Sequence, residues 1–174
     1  MKTDKQCLIR CGKLEDSEAI LNIQNAVISE SDYLITTAEE FNQTLEDQQA
    51  WIVKILNDDR ETILVAELDS ELIAFIVFQT NNRKRMNHTG SFGMMISKKY
   101  RNKGIGSLLL EALLAWAKKN PMIEKVSLGV CSTNYRAISL YKRMGFIEEG
   151  RKIKEFKIAE NEYVDDILMY KLVN

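Results

Sequence analysis

The sequence predicts an α+β domain of about seven strands and about four helices. Two observations lead there. Short, almost continuously apolar runs of strand length alternate with segments whose apolar residues recur at helical spacing, in the order strand, helix, helix, three strands, helix, strand, helix, two strands. The 174 residues, 45% hydrophobic and 28% charged, have the size and make-up of one globular domain, and no linker, repeat or low-complexity tract divides residues 1–174.

An opening strand is expected around Gln6 to Cys11, followed by a helix over Asp16 to Ile28 with Ile20, Ile23 and Val27 at helical spacing. Ser29-Glu30-Ser31-Asp32 breaks that pattern. Thr37 followed by Glu40 is a capping box, and Phe41, Leu45, Ile52 and Leu56 carry an apolar face down a second helix that ends near Asn57. Thr62 to Leu68 and Leu72 to Phe78, parted by Asp69-Ser70-Glu71, are almost continuously apolar and read as a buried hairpin at the centre of a sheet. The basic stretch 81–87 reads as a solvated loop before a fourth strand at Thr89 to Ile96. From Gly104 to Lys119 a helix is apolar nearly all round, so it must be covered on several sides, and Pro121 stops it. Lys125 to Cys131 is a strand with Val126, Leu128 and Val130 on one face and the small Ser127, Gly129 and Cys131 on the other. Ala137, Leu140, Tyr141 and Met144 make a last helix ended by Gly145, and two strands, Phe146 to Lys157 and Glu162 to Leu172, complete the order.

Charge and cysteine content exclude several functions. Lys and Arg number 24 against 25 Asp and Glu, so no global field draws nucleic acid or an anionic membrane, and any anion site must be local. No apolar segment approaches the ~18 residues of a membrane span. Met1-Lys2-Thr3-Asp4-Lys5 leads into no signal-like core, so a cytoplasmic location is expected. Cys7, Cys11 and Cys131 lack paired zinc spacing and His88 has no companion, which points to neither a disulfide framework nor a metal site.

The stretch Lys99-Tyr100-Arg101-Asn102-Lys103-Gly104-Ile105-Gly106, opening directly into the apolar helix at Ser107, reads as a phosphate cradle. Glycines let the backbone tighten, and the first amides of a helix have no intrahelical acceptor and sit at the positive end of its dipole. Arg101 and Lys103 add positive charge. A Walker loop would need Gly-Lys-Ser/Thr where Ser107 and Leu108 follow Gly106, and a dinucleotide fingerprint would need a third Gly at Leu109. The plainer alternative is a strand-to-helix turn with a solvated basic edge.

Arg101, Gly104 and Gly106 meet the Arg/Gln-x-x-Gly-x-Gly/Ala signature of the GNAT superfamily of N-acetyltransferases, which the chain resembles. A second block, Asn134-Tyr135-Arg136-Ala137-Ile138-Ser139-Leu140-Tyr141-Lys142-Arg143-Met144-Gly145-Phe146, is similar to that family's Asn-x-x-Ala-x-x-Leu-Tyr-x-x-x-Gly-Phe. The resemblance is clear from about His88 onward and implies a three-layer GNAT fold, with a mixed sheet splayed between strands 4 and 5. It implies acetyl-CoA as cosubstrate, no metal, and direct transfer to an amine. Met94, Met95 and Ile96 would contact the pantetheine arm and acetyl carbonyl. The pyrophosphate would sit on the amides of Asn102, Lys103, Gly104, Ile105, Gly106 and Ser107. Asn134 would bond the cofactor arm, cap the helix, or divide its contacts between both. Cys131 would line the site as a small packing residue.

The chemistry requires a neutral amine, an oxyanion donor and an acid for the leaving thiolate. A backbone amide near Met95 or Ile96 would supply the donor, and Tyr141 matches the family's acid, although its spacing also suits a core tyrosine. No base is assigned. Members that acetylate ribosomal protein N-termini carry a Glu five residues before the matching Asn, where this chain has Gly129, and Glu30 and Asp32 are the remaining candidates. The ending Asn161-Glu162-Tyr163-Val164-Asp165-Asp166-Ile167-Leu168-Met169-Tyr170 resembles branches that acetylate amino acids and related small amines. A small primary amine or amino acid is the expected acceptor. A protein lysine or N-terminus, and a non-catalytic acyl-CoA binder, stay open as alternatives. Homodimers are common in the family, and nothing in the sequence marks an interface.

Overall fold

Continuous apolar strands can only be satisfied if both faces of their sheet are covered, and that is how the chain is built. The computed structural model describes residues 7–30 and 33–174. The strands are β1 (Leu8–Cys11), β2 (Thr62–Leu68), β3 (Glu71–Thr80), β4 (Thr89–Ile96), β5 (Lys125–Cys131), β6 (Ile147–Ala159) and β7 (Glu162–Leu172), and the helices are α1 (Ser17–Glu30), α2 (Leu45–Leu56), α3 (Ile105–Lys119) and α4 (Tyr135–Arg143). All seven strands form one mixed sheet in the order β1-β2-β3-β4-β5-β7-β6.

Alternate residues of β2 and β3 supply two cores. Leu64, Ala66, Ile76 and Phe78 pack with Leu109, Leu110 and Leu113 of α3 on one face. Ile63, Val65, Phe75 and Val77 pack with Ile20 and Ile23 of α1 and Ile52 and Ile55 of α2 on the other. The result is the expected three layers. The hairpin turn places Asp69 and Ser70 at φ 52° and 66°, the two left-handed residues that a tight connection between twisted strands requires. Among the described residues, no helix is long and apolar enough to cross a membrane.

Several boundaries differ from those read in the sequence. Gln6 and Asp32 lie outside the described residues, and Asp16 ends a short 3₁₀ turn before α1 begins at Ser17. At Thr37 only half of the box forms: its amide and hydroxyl both donate to the Glu40 carboxylate, but the Glu40 amide donates to Thr37 O rather than to the hydroxyl, and the motif closes a single turn. A second box starts α2: Thr44 accepts from the Asp47 amide at 3.1 Å while its own amide donates to the Asp47 carboxylate at 3.0 Å. The buried face of α2 is consequently Gln48, Ile52 and Ile55, with Leu45 and Leu56 exposed.

The sheet opens at its centre. β4 and β5 are parallel partners only at Thr89–Lys125, Gly90–Val126 and Ser91–Ser127. Beyond that point β4 stays paired with β3 as far as Ile96, and β5 with β7 as far as Cys131. Each half follows its own antiparallel neighbour, so the strands part and the expected splay results.

Candidate active site

Backbone alternation decides which groups face the opening. The Ser97 amide donates to Ile73 O on β3 at 3.0 Å, while His88 O on the other edge accepts from the Glu124 amide at 2.9 Å. In a strand these directions alternate residue by residue. The amides of Met94 and Ile96 therefore face the gap and that of Met95 faces β3, which removes Met95 as an amide donor. The side chains divide the opposite way across the sheet: Met94 and Ile96 pack toward α3, and Met95 toward α1.

At the mouth of the gap lies the glycine turn. Asn102 and Gly104 both take the left-handed conformation, at φ 64° and 80°, and curl the amides between them into a concavity that suits an anion. Gly104 caps α3 with no side chain, and the first ladder bond runs from the Leu108 amide to Gly104 O. That leaves the amides of Ile105, Gly106 and Ser107 without helical acceptors. Gly106 answers a different need. A Cβ there would stand 3.1 Å from Leu140 of α4 and 3.4 Å from Met94 and Ile96, so this glycine lets α3 approach β4 and α4 closely.

A cavity of about 590 Å³ joins these parts. Met94, Met95, Ile96, Arg101, Asn102, Gly104, Ile105, Gly106, Ser107 and Tyr141 all line it, whereas Lys103 and Asn134 do not. The Lys103 ammonium instead lies 5.5 Å from the centre of the Tyr100 ring. Asn134 Oδ1 accepts from the Ala137 amide at 3.2 Å, so the side chain is engaged as the cap of α4. Arg101 also departs from the simple reading of a free phosphate-binding charge: Nε donates to Ile96 O at 2.9 Å and Nη2 to Glu30 Oε1 at 2.6 Å. Lys98 approaches the other Glu30 oxygen at 3.7 Å. Glu30 is thus an ion-pair anchor between α1 and the end of β4, an arrangement unsuited to a base.

Tyr141 sits on the inner face of α4 with ring centroids 5.7 Å from Phe92 and 6.1 Å from Phe146, both edge-on. Burial in this aromatic cluster pushes its phenol up to about 12. Among the described residues, none hydrogen-bonds the hydroxyl, and the residue borders the cavity.

A second cavity of about 360 Å³ occupies the α1 side of the sheet and shares Tyr33, Leu34 and Met95 with the first. Its wall includes Gly129, Cys131, Phe156 and Asp166. Cys131 Sγ donates to Tyr33 O at 3.4 Å, tying the loop after α1 to β5. Burial, reinforced by the Asp166 charge, raises the Cys131 thiol, which disfavours a nucleophilic thiolate. Asp166 is 7% exposed, and the sequence names it only within the ending Asn161 to Tyr170, with no role of its own. Its signal was present, because Asp166 follows buried Val164 by two residues and so places a carboxylate in phase with the inward face of β7.

A sheet parted between parallel strands, with an anion cradle at the mouth of the gap and a cavity on each face, is the architecture of an acyltransferase that passes a thioester through the sheet. The chain belongs to the Acetyltransferase (GNAT) family, whose model it matches over residues 26–146. It is accordingly an acetyl-CoA-dependent N-acetyltransferase. It is 28% identical to the L-amino acid N-acetyltransferase AaaT of Escherichia coli over 109 residues, which is 63% of this chain and 67% of that protein. It is also 28% identical to an N-alpha-acetyltransferase of Sulfurisphaera tokodaii over 172 residues, covering 94% of this chain and 90% of the relative. The crystal structure of a GNAT-family acetyltransferase from Streptococcus pneumoniae matches with a TM-score of 0.91 at 29% identity, covering 97% of this chain and 100% of that one.

Proposed function

We propose that this chain acetylates the primary amine of a small molecule or amino acid by direct attack on acetyl-CoA in a ternary complex. One observation carries the reading: the cavity on the acceptor side of the opening measures about 360 Å³ and is walled by β5, β7, β6 and the loop after α1. A small amine fits a recess of that volume. The activity named for the Escherichia coli relative agrees with this acceptor class. The archaeal relative's name favours a second reading, an acceptor that is a protein N-terminus.

The cradle suits the charged end of the donor. Its left-handed turn and the unpaired amides at the start of α3 would receive the pyrophosphate, with Asn102, Gly104, Ile105, Gly106 and Ser107 supplying backbone and Arg101 shaping the turn. Acetyl-CoA supplies the activated acyl group. The Ile96 amide, pointing into the gap, is placed to hydrogen-bond the carbonyl oxygen as it becomes an oxyanion. Tyr141 then faces the departing sulfur. A phenol near 12 is protonated at all working pH values. Full transfer to a thiolate of ordinary pKa ~8.5 would be uphill by roughly 3.5 units, or about 5 kcal/mol. The same dry surroundings raise the thiol as well, which narrows the gap and lets the hydroxyl stabilise the sulfur as the bond breaks.

The test is release of free thiol from acetyl-CoA in the presence of amino acids, polyamines, other primary amines and N-terminal peptides. Turnover with one or more small amines is the expected outcome. Turnover with peptides alone would establish the second reading, and tight acetyl-CoA binding without any turnover would reduce the chain to a binder.

A further inference from the structure

Resting on the small-amine reading above, we propose that Asp166 is the group that takes the proton from the attacking amine. The sequence offered no base where other members carry a Glu, because that position is Gly129. In the fold the missing side chain is what admits Asp166 from the neighbouring strand. A Cβ on Gly129 would fall 2.8 Å from Asp166 Oδ1 and 3.2 Å from Oδ2. β7 pairs with β5 so that Asp166 lies opposite Cys131. A carboxylate thus occupies the space above Gly129, on the strand that leaves the opening and on the acceptor side of the sheet.

The surroundings of Asp166 suit that work. It is more than nine-tenths buried and forms part of the wall of the acceptor cavity. The cation facing it is Lys152 on β6, 3.6 Å from Oδ2, too long for a strong charge-assisted hydrogen bond, and Lys152 also bonds Glu155 at 3.3 Å. A buried carboxylate with so loose a partner costs stability, whereas an arriving ammonium group would complete it. The other titratable groups around the chamber are Cys131 on β5 and Tyr33 in the loop after α1. Arg151 of β6 is 3.5 Å from Asp165 rather than Asp166. At the end of α1, Glu30 is held by Arg101 and Lys98.

The proton balance is complete with these groups. An acceptor arriving as ammonium passes one proton to the Asp166 carboxylate, and from there it goes to solvent. The freed lone pair attacks the thioester carbonyl carbon, forming the C–N bond. On collapse of the tetrahedral species the C–S bond breaks, the sulfur takes a proton from Tyr141, and the second proton lost by nitrogen restores the phenol. The products are the amide, the CoA thiol and one proton in solvent.

The experiment compares Asp166→Asn with the wild type on two amines, one strongly basic and one weakly basic and already neutral at pH 7, across a pH series. Asn keeps the shape and removes the basicity. The expected result is a loss of roughly 10²-fold or more in kcat/KM for the strongly basic amine at pH 7. That deficit should shrink as pH rises, and it should be small for the weakly basic amine, with acetyl-CoA affinity unchanged. An unchanged rate, or a deficit equal for both amines and flat in pH, overturns the proposal. If Asp166→Asn does not fold, Asp166→Glu decides: a carboxylate at this site must preserve the wild-type shape of the pH profile, and loss of that shape overturns the assignment. Absence of thiol release by the wild type with every small amine would remove the small-amine reading and this inference with it. Turnover by the wild type alongside an unaffected Asn variant would remove this inference alone.

Discussion

Tyr141 illustrates how one residue meets two demands. Its ring completes an edge-on cluster with Phe92 and Phe146, and the residue borders the cavity of about 590 Å³. Tyr141→Phe keeps the cluster and deletes the donor. We expect kcat to fall roughly 10²- to 10³-fold, with acetyl-CoA affinity by calorimetry nearly unchanged. The pH dependence is also specified. The folded value, about 12, lies above the reference of 10.0, so the folded state holds its proton more tightly. The associated stability is whole below about pH 10 and is lost as pH rises toward 12. Thermal unfolding of the wild type should therefore decline more steeply than that of Tyr141→Phe above pH 10 and run parallel to it below. A matching alkaline fall in both proteins would show that another group is responsible.

At the scale of elements, the junction between β1 and α1 is set by an ion-pair cluster. Arg10 on β1 grips both oxygens of Asp16 at 2.8 Å and bonds Glu67 on β2 at 2.8 Å, while Asp16 also accepts from the Lys13 amide. The cluster fixes where α1 starts, and hence where its far end meets β4. Arg10 holds the Asp16 carboxyl below its ordinary value of 3.8. The stabilisation is present above about pH 4 and is lost as pH falls through the lowered folded value. Asp16→Ala should destabilise the protein by about 2–3 kcal/mol at pH 7, somewhat under the figure for a fully buried pair because Arg10 is partly exposed. Urea titrations should show that difference narrowing at pH 3; a constant difference would assign the effect to packing. Thr37–Glu40 and Thr44–Asp47 both bring the threonine amide and hydroxyl onto the carboxylate, but only at Thr44 does the hydroxyl accept the return bond from the acidic residue's amide, and only there do the following residues bury a helical face against the sheet.

For the molecule as a whole, Arg101 is the link between the two cavities. It joins the end of β4, through Ile96 O, to the end of α1, through Glu30. Beyond Glu30 the chain reaches Tyr33 and Leu34, which line both chambers. Arg101→Ala should raise KM for acetyl-CoA and for the amine together, by about 10-fold each if roughly 1.4 kcal/mol of positioning is lost. Arg101→Lys separates the causes. If charge toward the pyrophosphate were the whole role, Lys would restore acetyl-CoA affinity; the forked geometry on Ile96 and Glu30 predicts that it does not.

Much of this was legible along the chain because it is local. β2, β4, β5 and β7 have the bounds read along the chain: β2 is a continuous apolar run buried on both faces, and β5 keeps the alternation of large and small residues that marks a strand. The cradle was readable because Gly104 and the bare start of α3 are neighbours in sequence. Other assignments depended on contacts between distant segments. Arg101 looked like a phosphate charge until Glu30, 71 residues away, was seen to hold it. Gly106 has a packing role, the close approach of Leu140, that its place in the signature does not reveal, and of the two amide donors offered by the sequence, Met95 and Ile96, the parity of β4 turns only that of Ile96 into the gap. Asp166 was one acidic residue in a charged tail until strand pairing set it above Gly129, where a side chain absent from one strand is replaced by a carboxylate from the next. The sequence by itself determined the elements, the family signature and the glycine turn that opens α3, because short-range periodicity and backbone chemistry encode them. Only the tertiary structure decided the second cavity, because its walls come from β5, β6, β7 and the loop after α1, brought together by sheet register.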